Sequence, residues 1–169
     1  MALYFPAPKW TGTYIEMAKF GHGRRKGRIH GACDLYAPLE SDVKAVTDGI
    51  VVEISPIYEA KTQAIAIRHE GIGIIRYGEI VKIPKEIFKV NADIKAGDVI
   101  GKVGQVIKLS PMLHFELFDG TGGSGRLSDK SPNIEYYNEG VLKDGNYERR
   151  KDLMNPTMFL ERLWLEGIK

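Results

Sequence analysis

The sequence predicts a β-rich domain that ends in one α-helix, and three observations carry the prediction. Glycine occurs 19 times in 169 residues, above the usual share of about 7%, and it punctuates short β-branched runs rather than forming a repeat. Those runs are bounded by Gly, Pro, Asp or Ser, as the strands of packed sheets are. Only the last stretch spaces its apolar residues as a helix does.

Strands are expected at 43–45 leading into Gly49, and at 50–54, 64–68, 73–77, 99–103 and 113–118. Before Val99, the run Lys95-Ala96-Gly97-Asp98 reads as a tight turn in which Gly97 supplies a positive φ. Residues 121–154 read as a long loop: GTGGSG, a Ser-Pro pair and three tyrosines are too polar and Gly-rich for core. Such a stretch suits a functional face, and its composition equally suits a linker to the helix. The helix is expected over 155–167, with Asn155 as cap and Pro156 at the first helical position. Phe159, Leu160, Leu163 and Trp164 form its apolar face, and Gly167 ends it.

Composition narrows the function classes. Apolar residues make up 43% and charged residues 27%, which is ordinary for a globular chain and excludes a disordered one. Lys and Arg number 24 against 22 for Asp and Glu, a net charge of +2, too little to collect nucleic acid by counterion release. The single cysteine, Cys33, rules out an intramolecular disulfide, and four histidines suffice for no more than one His-rich metal site. The opening MALYFPAPKW lacks a basic stretch followed by an apolar run, and no stretch reaches the length of a membrane span. The expectation is a chain made in the cytoplasm without an export signal.

Chemistry concentrates in two places. His30 and Asp34 stand four apart in GRIHGACDLYAP, a spacing that puts both on one face of a helix or a strand. Gly31 and the Ala-Pro continuation favour an extended segment entering the sheet. In PMLHFELFDG, alternation sends Met112, His114 and Glu116 to one face and Leu113, Phe115 and Leu117 to the core. Two histidines and an aspartate form a three-ligand zinc set with a fourth position left for water, as in catalytic sites. Cys33, between the first two ligands, reads as core packing. His69 reads as a turn or surface residue at a strand end. The run Arg24, Arg25, Lys26 and Arg28 beside His22 reads as a solvated basic loop.

These residues resemble the lysostaphin-type, or LytM-like, zinc endopeptidases, which cut peptidoglycan cross-bridges and stem peptides. The family's opening His-x3-Asp motif with its following Ala-Pro is similar to 30–38, and its next strand to AVTDGIVV. Its paired central strands resemble IAIRHEGIGIIRYGEI, its last turn IKAGDVIGKVGQ, and its closing His-x-His strand MLHFEL. The resemblance covers about residues 20–120. It implies a mainly antiparallel sheet of the duplicated-hybrid-motif kind, a single domain over 1–169, and zinc held by His30, Asp34 and His114. It also implies peptidoglycan peptides as substrate, with action in the periplasm or wall after delivery by phage, lysis or a secretion system.

Two positions depart from the family. Its two catalytic histidines fall on Met112 and Glu79. A thioether donates no hydrogen bond to an oxyanion, whereas a carboxylate accepts a proton from a zinc-activated water, as in other zinc peptidases. Glu79 is therefore the expected base. Tyr77, Arg76 and Arg68 are the candidates for oxyanion stabilisation. Loss of both histidines is also what an inactive binding or structural module of a phage tail or secretion assembly predicts. Arg-Tyr-Gly-Glu-Ile, together with Arg149-Arg150-Lys151-Asp152-Leu153 and Pro156-Thr157, resembles the family branch associated with phages and type VI secretion.

Overall fold

The computed structural model describes residues 2–7, 18–22, 30–58, 61–106, 109–122, 127 and 150–166. Among them lie nine strands: β1 (Cys33–Tyr36), β2 (Asp42–Lys44), β3 (Gly49–Ser55), β4 (Gln63–His69), β5 (Gly73–Val81), β6 (Asp93–Ile94), β7 (Val99–Val103), β8 (Met112–Phe118) and β9 (Leu153–Met154). One helix, α1 (Thr157–Leu165), follows. All strand pairings are antiparallel, in the order β1-β8-β5-β4-β3-β6, with β2 on β7, β7 also on β5, and β9 on β8. The expected β-rich, mainly antiparallel fold with a C-terminal helix is the one found. The two strands with no counterpart in the sequence expectations, β6 and β9, have two residues each, and β1 is the extended segment expected to carry Asp34 into the sheet.

The central strands β1, β8, β5 and β4 sort their side chains onto two faces because the side-chain period is two. Cys33 is paired with Phe115, Leu35 with Leu113, Tyr77 with Phe115 and Ile75 with Leu117. All of these belong to the main apolar core, which α1 closes with Leu160 and Leu163. Phe159 stacks on Phe115 at 6.3 Å, and Trp164 meets Phe5 edge-on at 5.7 Å. The Asn155 Oδ1 accepts the Thr157 N–H at 3.0 Å, but the helix proper begins at Thr157, so Pro156 and not Asn155 stands at the N-cap, with no side-chain cap bond of its own. No helix among the described residues is long and apolar enough to cross a membrane.

On the opposite face Asp34 pairs with His114, Gly78 with His114 and Arg76 with Glu116. Further along, Ala66, Ile74 and Phe118 are covered by Leu127 and Leu153. The stretch expected to be too polar for core thus contributes four buried side chains among its described residues, Leu127, Arg150, Asp152 and Leu153. Arg150 makes a two-pronged ion pair with Asp152, at 2.9 and 2.8 Å, and its guanidinium lies 5.7 Å from the Phe118 ring centroid. Asp152 also accepts the Gly120 and Gly122 N–H groups. Arg150 and Asp152 therefore form a clasp that fastens this part of the chain to the end of β8. Residues 123–126 and 128–149 of that stretch, the basic run 24–28 and Gly167 lie outside the described residues.

One local irregularity matters for the site. Ile65 pairs with Tyr77 but Gln63 pairs with Ile80, so two residues of β5, Gly78 and Glu79, stand opposite Ala64 alone. This is a β-bulge, and Glu79 has the positive φ, 58°, that goes with it. Tyr77 and Ile80 both lie in the main core. The two residues between them therefore share the other face, and Glu79 stands with Gly78 on the side of His114. The turn at Gly97 is as expected, with a φ of 81°.

Candidate metal centre

Asp34 sits in β1 and His114 in β8, in register with each other. His30 precedes β1, where its backbone N–H bonds the His22 carbonyl and its own carbonyl accepts the Gly21 N–H, both at 2.8 Å. These anchors bring three donor atoms together: His30 Nε2 to Asp34 Oδ1 is 3.1 Å, Asp34 Oδ1 to His114 Nδ1 is 2.9 Å, and the two ring nitrogens are 3.4 Å apart. A tetrahedral zinc with ligand bonds of ~2.0–2.1 Å requires neighbouring donors about 3.3 Å apart. The triangle and its donor types fit zinc. His30, Asp34 and His114 are the one set of three or more His, Cys, Asp or Glu residues so arranged among the described residues.

The electrostatics are those of a cation site. Burial pushes the Asp34 carboxyl upward, but hydrogen bonds with His114 and His30 prevail and hold it well below the usual carboxylate range. Burial opposes a charged His114, yet Tyr58, Asp34 and Glu116 together raise it well above the ordinary histidine value. Positive charge is what the cluster accommodates best.

Each imidazole is also oriented through its other nitrogen. His30 Nδ1–H donates to the Lys19 carbonyl at 2.9 Å, which leaves Nε2 for a metal. His114 Nε2 lies 3.2 Å from Glu116 Oε1. Metal-bound histidines characteristically have such outer partners. Glu116 is fully buried and accepts further bonds from the Tyr58 hydroxyl at 3.2 Å and Arg76 at 3.4 Å. Arg76 continues to Glu53 at 2.6 Å. Burial disfavours its charge, but Glu116 and Glu53 outweigh that and raise its pKa further. Sequence reasoning placed Glu116 on the ligand face by alternation, whereas Tyr58 and Glu53 gave no such signal.

Several expectations change. His69 is buried rather than superficial: its Nδ1–H donates to the Asp48 carbonyl at 3.1 Å, and its Nε2 accepts the Tyr77 hydroxyl at 3.0 Å. Tyr77 Oη in turn accepts the Val46 N–H. Tyr77 is thus held inside the apolar core, away from the ligand face, and does not serve an oxyanion there. Arg68 is exposed and reaches Gly120, four residues along the sheet from the His114 position. Arg76 faces the ligand side but is clamped between two carboxylates. Cys33 is core, as expected. Glu79 is buried on the bulge and lies outside the three-donor cluster. Met112 is also buried, paired with Tyr36 and Gly104. A cavity of about 680 Å³ opens beside His69, Gly73 and Asp119, at the opposite end of these strands from the ligand triangle.

A sheet of this topology carrying a His, Asp and His triangle defines a β-domain with a candidate metal centre. The family model for Peptidase family M23 matches residues 28–125, more than half of the chain, and the chain belongs to that family. Among curated proteins no sequence matches it. The catalytic domain of the antimicrobial peptidase lysostaphin from Staphylococcus simulans shares its fold, with a TM-score of 0.56, 20% identity, and coverage of 92% of this chain and 98% of that one. A zinc-containing peptidase from Vibrio cholerae is 25% identical with a TM-score of 0.55, over 70% of this chain and 37% of that longer one. LytU has a TM-score of 0.54 at 20% identity, with 92% of each chain covered.

Proposed function

We propose that the chain is a zinc-dependent endopeptidase hydrolysing amide bonds in the peptides or cross-bridges of peptidoglycan. The observation that carries this reading is the donor triangle His30, Asp34 and His114 in a chain of the M23 family. Bound zinc supplies a Lewis acid for the scissile carbonyl and an attacking water acidified to a pKa of about 7. Glu79 accepts that water's proton on its carboxylate and returns it to the leaving amine nitrogen. Its bulge supports the role, because regular alternation would have turned Glu79 into the apolar core. The alternative account of Glu79, an ion pair with Arg76, finds Arg76 already engaged by Glu53 and Glu116. The whole of 1–169 is read as one domain, since Leu160 and Leu163 of the helix enter the same core as β1 and β8. The wording Arg-Tyr-Gly-Glu-Ile, with Arg149–Leu153 and Pro156-Thr157, supports the branch associated with phages and type VI secretion, and that branch would supply its route to the wall.

Met112 favours a second reading, an inactive module of a phage tail or secretion assembly, because it stands where the resemblance implies a catalytic histidine. Digestion of purified peptidoglycan with mass readout separates the two: cut peptides with intact glycan support the enzyme. No digestion by a zinc-loaded chain supports the module, and cuts between sugars overturn both. In the active protein Glu79→Gln should lower turnover by about 10² to 10⁴ with zinc content unchanged. Equal rates would remove Glu79 from the mechanism. Met112→His should raise the rate if oxyanion stabilisation is limiting.

A further inference from the structure

We infer that Glu116 is a positioning residue of the metal centre: its carboxylate takes the Nε2–H of His114 and so commits Nδ1, the atom beside Asp34 and His30, to the metal. The inference rests on the ligand reading above and goes beyond it to a residue outside the ligand set. Alternation puts Glu116, two residues after His114, on the ligand face, and Oε1 stands 3.2 Å from His114 Nε2. A carboxylate with no exposure needs partners for its charge. Here Tyr58 donates to Oε1 and Arg76 to Oε2, so the group is held from three sides and cannot swing away.

The charge count gives the arrangement a direction. Glu116, Arg76 and Glu53 sum to one negative charge, and Glu116 is the end of that chain that touches His114. A carboxylate behind the imidazole makes the ring a stronger donor to a cation than a neutral acceptor would. Rotating the ring by half a turn would break the bond to Glu116 and present a carbon to Asp34. The packing preserves the geometry: Tyr58 lies against Gly78, where an added Cβ would come within 2.9 Å of its ring, and Gly78 is the register partner of His114.

The test compares Glu116→Gln with Glu53→Gln by chelator-competition measurement of zinc affinity. Both variants take one carboxylate from Arg76, so a purely structural role predicts equal effects. The expected result is a loss of about 10- to 100-fold for Glu116→Gln, against less than about threefold for Glu53→Gln. Equal losses, or none for Glu116→Gln while the wild type binds zinc, overturn the inference and leave the ligand set standing. Absence of zinc binding by the wild type overturns the ligand set and this inference together. Nitrogen-15 spectra of the zinc-loaded wild type decide the matter even if a variant does not fold. His114 should coordinate through Nδ1 and carry an exchange-protected Nε2–H; coordination through Nε2 overturns the proposal.

Discussion

Along β8 neighbouring residues enter two different environments. Phe115 and Leu113 face a layer of Cys33, Leu35, Ile75 and Tyr77 closed by α1, whereas His114 and Glu116 face Asp34, Arg76, Glu53 and Tyr58. Both faces hold fully buried side chains: Phe115 and Glu116 are each 0% exposed. Burial therefore does not distinguish core from site in this molecule. The apolar face is held by area removed from water, which tolerates many substitutions of similar volume. The polar face is held by a closed set of donors and acceptors, in which removing one member strands another.

That contrast can be broken experimentally, beginning with the metal. The wild type should hold close to one zinc per chain, and His30→Ala or His114→Ala should lose it while keeping the fold. Metal analysis showing unchanged zinc in those variants would mean that the polar face is not a metal site. Next to His114, Phe115→Ala should do the reverse, lowering stability by about 3–5 kcal/mol with zinc stoichiometry retained at temperatures where it is folded. Denaturant melts with and without zinc measure both, and a Phe115→Ala chain as stable as wild type would contradict the assignment of that face as core.

A smaller effect is expected at Gly78, where the faces meet at the bulge. A Cβ there would lie 2.9 Å from Tyr58 Cε1 and 3.3 Å from the His114 carbonyl. Gly78→Ala should cost about 1–3 kcal/mol, and the double variant with Tyr58→Ala should recover most of it. No recovery would place the strain elsewhere.

The smallest effect concerns His69, the polar group inside the apolar face. Burial lowers its pKa from the ordinary 6.5, with the Asp48 and Thr47 backbone only partly offsetting it. The unfolded chain then binds the proton more readily. His69 thus contributes stability that is full above a pH of about 6.5 and lost as the pH falls toward its folded pKa. In zinc-loaded protein, His69→Gln should flatten that acid slope, as read from urea melts across the range. An unchanged slope would assign it to other groups.

What the sequence determined by itself is local. Six strands and the Gly97 turn follow from side-chain alternation and a residue able to take positive φ, each written within a few neighbouring residues. The donor cluster His30, Asp34 and His114, proposed as the ligand set, was legible too, because four-residue spacing in an extended segment and strand alternation fix which side chains share a face. The tertiary structure alone decided who sits behind them. His30 meets His114 across 84 positions, Tyr58 reaches Glu116 across 58, and Leu127 bonds Glu53 across 74. The burial of His69, the removal of Tyr77 to the core side and the placement of Glu79 on the ligand side depend likewise on strand register, including one extra residue at a bulge. Register is set by which strands pair and what covers them, and a sequence pattern that records only the local face of each residue does not carry that choice.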